Sequence, residues 1–129
     1  MNMELELVDS PAFVYDELVV GSVLAHMDME CVQYFESVDT ETYVVMDGGH
    51  RKRIDAPLYI LEELLPKDKF FRCGWGHVLN VNRIKAFYML NDTSVVMDCG
   101  DEILISRYQR RAILAVMERL WFAQQRQVG

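Results

Sequence analysis

From Leu18 onward the chain reads as short runs of β-branched and aromatic residues separated by polar breaks. The runs LVVGSVLAH (18–26), ECVQYFES (30–37) and ETYVVMD (41–47) predict strands. Asp28 and Asp39 mark breaks between them. Asp47-Gly48-Gly49 predicts a hairpin turn, because glycine accepts the positive φ that such turns need. HRKRID (50–55) is then the returning strand, with three basic residues projecting from an exposed edge or face.

At Pro57 the period changes. Leu58, Leu61, Leu64 and Leu65 follow at helical spacing, Pro57 suits the first helical position, and Pro66 ends the segment. This predicts a short helix whose leucines are core. Strands resume at 69–73, 77–81, 84–90, 93–98 and 102–105, with turns at Asn91-Asp92 and Cys99-Gly100. Ser106 and Gln109 have the spacing of a capping box, and a terminal helix follows. Its expected apolar face is Tyr108, Ala112, Ile113, Val116, Leu120 and Ala123. The pattern predicts a mainly β domain of roughly nine strands, one short helix and one C-terminal helix. That domain spans 18–125, and residues 1–17 form an N-terminal arm broken at Asp9-Ser10-Pro11.

Composition narrows the function classes. A chain of 129 residues, 51% of them apolar, supports one domain with a real core. It has no apolar run of about 18 residues that would cross a membrane. The acidic start, MNMELELVDS, lacks the basic region of a signal peptide. Cys31, Cys73 and Cys99 are odd in number and follow no framework spacing, which points to reduced thiols in a cytoplasm. Nucleotide-binding, serine-hydrolase and zinc-protease motifs are all missing, so an enzyme is not expected. Cys73 and His77 have no second pair at metal-binding spacing, so neither a metal nor another cofactor is expected.

Charge changes the picture. The net charge is −7, which alone argues against a polyanion partner. The charges are unevenly placed, however. Residues 1–66 hold 3 Lys and Arg against 14 Asp and Glu, whereas residues 67–129 hold 10 against 6. Arg107, Arg110 and Arg111 open the terminal helix, where the helix dipole disfavours cations. Arginines and a helix N-terminus both attract phosphate, so this placement points to an anion; a solvated arginine face is the alternative. Trp75 between Gly74 and Gly76 reads as a loop tip able to stack on a base or anchor a protein, or else as a cover for the core. Asn80 and Asn82 fit strands poorly. Asn80 either reads an adenine edge or satisfies a neighbouring backbone group.

Taken in order, KFFRCGWGHVLNVNRIKAF and EILISRYQRRAI resemble the LytTR DNA-binding domain of bacterial transcription regulators. The matching positions are Phe71, Arg72, Asn80 and Ile84, then Ser106, Arg107, Arg110 and Arg111. Upstream, CVQYFESVDTETYVV and PLYILEELLP resemble the family's Glu-Ser strand pair and short leucine-rich helix. The resemblance covers about residues 18–120. It implies antiparallel sheets and binding to direct repeats in promoter DNA, with loops entering successive major grooves. It also implies contacts from Asp39 to Tyr43, Gly74 to His77 and Arg107 to Arg111. The expected DNA-binding residues are therefore Arg107, Arg110, Arg111 and Tyr108, with Arg72, Trp75, His77, Asn80, Arg83, Lys85 and Thr42. The function expected is that of a stand-alone regulator acting on double-stranded DNA, controlled by a protein partner or as a homodimer. Where the family is polar and basic after Phe-Arg, this chain has Gly74-Trp75-Gly76, and its first loop carries Asp39 and Glu41. Those departures define the alternative, a protein-interaction module that sequesters or modulates a related regulator.

Overall fold

The computed structural model describes residues 17–74 and 76–128, with side chains through Trp121. Residues 1–16 of the expected arm, Trp75 and the Ala123 side chain lie outside the described residues. The described chain runs α1 (Glu17–Ala25), β1 (Val32–Val38), β2 (Glu41–Met46), β3 (Arg51–Ile54), α2 (Leu58–Leu64), β4 (Phe70–Cys73), β5 (His77–Asn80), β6 (Ile84–Met89), β7 (Thr93–Met97), β8 (Glu102–Ile105) and α3 (Arg110–Val128). The expected mainly β architecture of antiparallel sheets holds, with eight strands rather than nine among the described residues.

The missing strand is a correction. Residues 18–25 are helical, not extended, and His26 lies in the turn that follows. Their sequence is apolar without alternation, and the buried pair is Val20 and Leu24, four residues apart, which is a helical repeat.

Five strands form one sheet in the order β3-β2-β1-β5-β4, and three form a second, β6-β7-β8. Every pairing is antiparallel. Alternation along β1 splits the core in two. Phe35 joins Val44, Ile54, Phe70 and Val78 under α1 and α2, where Leu58, Ile60, Leu61 and Leu65 seal that face. Tyr34 faces the other way and joins Val45, Cys73 and Leu79 against the second sheet and α3, which contributes Ile113 and Val116. The first sheet is therefore the central layer, and its strand ends decide where the loops emerge.

The terminal helix also departs from expectation at its start. A short 3-10 turn, Arg107–Gln109, precedes α3, and Ser106 makes no side-chain capping bond. Only its backbone carbonyl serves, accepting from the Gln109 N–H at 2.9 Å. Without that side-chain bond the Ser106–Gln109 capping box is not formed. Tyr108 lies in the same turn, off the helix face, and is 90% exposed rather than apolar core.

Candidate nucleic-acid interface

Antiparallel pairing brings connections from both sheets to one end of the molecule. In the first sheet, β1 ends where β5 begins, since Glu36 pairs with His77. The β1–β2 turn at Asp39-Thr40 therefore lies beside the β4–β5 connection. The Ser37 N–H donates to the Gly76 carbonyl at 2.9 Å, tying the two together. In the second sheet, Thr93 pairs with both Met89 and Ile105, so the β6–β7 turn adjoins the start of the 107–109 turn. The two sheets meet at Gly74. Its φ is +66°, and a Cβ there would stand 3.7 Å from the Cβ of Ser106. Glycine allows the left-handed bend that brings the β4–β5 loop against the β8–α3 junction.

Two hollows open at this end. One, of about 450 Å³, is lined by Asn91, Asp92, Thr93, Ile105, Arg107 and Arg110. The other, of about 400 Å³, lies between Gly74, Gly76, His77, Asp92, Leu104 and Ser106. Arg107, Arg110 and Arg111 are all exposed. Arg110 donates to the Met89 carbonyl at 3.4 Å, and none of the three forms an ion pair with a carboxylate among the described residues. Several acids of the first half are engaged elsewhere. Glu36 pairs with Arg51, and Glu62 with Arg72 at 2.8 Å. Glu41 accepts from the Tyr43 hydroxyl at 2.7 Å and from Arg53 at 3.2 Å. The Tyr43 hydrogen bond, with help from Arg53, holds the Glu41 carboxyl below its ordinary range.

The expected contact residues divide. Arg107, Tyr108, Arg110, Arg111 and His77 belong to the loop end. His77 is half-buried, with Tyr34 at 5.8 Å between ring centroids and Glu36 at 3.7 Å. Burial lowers its pKa below 6.5, and Glu36 only partly opposes this. Arg72 lies under α2 and donates to the Gly74 carbonyl at 3.0 Å, so it braces the loop rather than projecting from it.

The other expected residues sit elsewhere. Thr42 is buried in the sheet, opposite Ile54. Asn80 is buried too, donating to the Met29 and Val32 carbonyls at 3.2 and 2.8 Å and accepting from the Asn82 N–H at 3.1 Å. Its polar atoms are spent on backbone, the structural alternative that the sequence allowed. Arg83 stands at the opposite end, 2.5 Å from Asp47 and 3.1 Å from Asp98. Lys85 is exposed at the start of β6, beside the later turns of α3. The sequence reasoning did not place Asp92 among the arginines. Its turn was readable, but its neighbours depend on the pairing of the second sheet.

No group of three or more metal-binding side chains stands together among the described residues. No helix there is long and apolar enough to cross a membrane. No curated protein matches the chain. A solved structure does match: the LytTr DNA-binding domain of a methyl-accepting/DNA response regulator from Bacillus cereus, with 30% identity and a TM-score of 0.64. The match covers 70% of this chain and 84% of that one. Residues 23–118 match the family of the LytTr DNA-binding domain. With its antiparallel sheets, short helix and arginine-bearing loop end, the chain belongs to the LytTR family of DNA-binding domains.

Proposed function

We propose that the chain is a transcription regulator that holds double-stranded promoter DNA, at imperfect direct repeats, against the end where the loops of both sheets converge. Arg107, Arg110 and Arg111 grip phosphates, and Tyr108 and His77 stand on the groove side. The supporting observation is that all three arginines are exposed at that end without a carboxylate partner among the described residues. A guanidinium with no internal carboxylate partner keeps its charge for an external anion, and its fork fits phosphate oxygens. A surface that existed only for solubility would gain more from pairing these groups with the surplus of acids.

The test is fluorescence anisotropy on labelled duplex fragments, for wild type and for the triple variant Arg107→Ala/Arg110→Ala/Arg111→Ala. Each phosphate contact contributes about 0.9 to the slope of log affinity against log salt. The triple variant should therefore lose affinity and flatten that slope by about 2 to 3. An unchanged slope would remove the arginines from the interface, and no binding by the wild type at about 50 mM salt would remove the reading itself.

A further inference from the structure

The β6–β7 turn, Leu90-Asn91-Asp92, belongs to none of the three segments expected to touch DNA, yet it stands at the loop end. Met89 and Thr93 pair across its base, and Arg110 donates to the Met89 carbonyl at 3.4 Å. Asp92 lines both hollows, one of them together with Arg107 and Arg110. All three turn residues are exposed, Leu90 to 87%. A duplex whose phosphates sit on Arg107 and Arg110 therefore passes close to this turn.

The turn has no cation, so it cannot hold a phosphate, and the Asp92 carboxylate repels one. Asp92 shares a hollow with two arginines but forms no ion pair with any cation among the described residues. Asn91 and Asp92 suit a turn, whereas leucine is no turn former. One exposed leucine means little by itself, and here its place gives it meaning. The major groove offers what these side chains can use: the cytosine amino group donates to a carboxylate, and the thymine methyl is apolar. We propose that the β6–β7 turn is a base-reading loop, in which Leu90 packs on a thymine methyl and Asp92 accepts from a cytosine amino group while the arginines hold the backbone. Opposite guanine O6 or thymine O4 the carboxylate meets lone pairs, so it also rejects wrong sites. This rests on the DNA reading and adds a sequence preference to it. The turn is short, so the two bases lie close together in the site.

The experiment selects duplexes from a random pool with the full chain, then measures anisotropy on the enriched duplex, with circular dichroism to check that each variant is folded. Deoxyuridine in place of the contacted thymine removes only the methyl, and wild type should lose about fourfold in affinity. Leu90→Ala should be indifferent to that exchange. Asp92→Ala should lose a preference of about tenfold for the cytosine, and it should bind unselected duplex more tightly because a negative charge is gone. Arg107→Ala should instead weaken every duplex alike. If wild type binds no duplex, the DNA reading fails and takes this proposal with it. If wild type selects a site and both turn variants keep its preferences, this proposal alone is overturned.

Discussion

Asp39 holds a φ of +57°, the left-handed region, at the tip of the β1–β2 turn. Aspartate tolerates this better than most residues, and asparagine tolerates it as well. Of the two acids in this turn, Glu41 is engaged by Tyr43 and Arg53, so Asp39 carries the turn's unbalanced charge. Asp39→Asn should therefore keep the turn, change stability by less than about 0.5 kcal/mol, and raise affinity for duplex DNA several-fold at low salt. Paired urea melts and anisotropy titrations would check both parts; a large loss of stability would mean that the carboxylate has a structural role. His77 gives a pH signature. Burial lowers its folded pKa, so between that value and 6.5 the unfolded chain binds more protons than the folded one. Its contribution to stability is then fully present above pH 6.5 and lost as pH falls through the folded midpoint. The imidazole resonance of His77 should titrate below 6.5, and a midpoint above that value would contradict its burial.

At the scale of elements, α3 is both a lid on the second core and the carrier of two of the three arginines. Ile113 is fully buried one turn after Arg110. Ile113→Ala should cost about 3 kcal/mol by removing a buried side chain that the surroundings cannot refill. It should also weaken DNA binding beyond the loss of folded protein, because Arg110 and Arg111 lose their fixed base. Chemical denaturation alongside anisotropy at equal folded concentration separates the two effects. The elements that the sequence revealed most clearly were those with a strong period or a strong turn. The eight strands from Val32 to Ile105 follow from runs of β-branched and aromatic residues and from turns such as Asp47-Gly48-Gly49. Residues 17–25 did not, because an apolar run without alternation suits a buried strand and a helix equally, and only packing against α2 decides it. The arginines were legible from composition near a helix start. The fates of Thr42, Asn80 and Arg83 were not, since each depends on partners distant in sequence, such as Ile54, Val32 and Asp98.

For the whole molecule, Arg83 is the tie between the sheets at the end away from the arginines. Its guanidinium bridges Asp47 of the β2–β3 turn, Asp98 after β7 and the Glu30 carbonyl. Arg83→Ala should cost about 2 kcal/mol, as expected for charge-assisted bonds, while leaving the salt slope of DNA binding unchanged. A thermal melt and a salt titration on one sample would show this; a reduced slope would return Arg83 to the interface. The separation of charge has a consequence for kinetics. An acidic molecule with three exposed arginines clustered at one end carries an uneven field, and a duplex exerts a torque on it before contact. On the proposed reading, approaches that lead with Arg107, Arg110 and Arg111 are drawn in, while those that present acidic surface are repelled. The net charge of −7 then acts as an orientation filter: it slows the sum of all encounters but raises the fraction that arrive ready to dock.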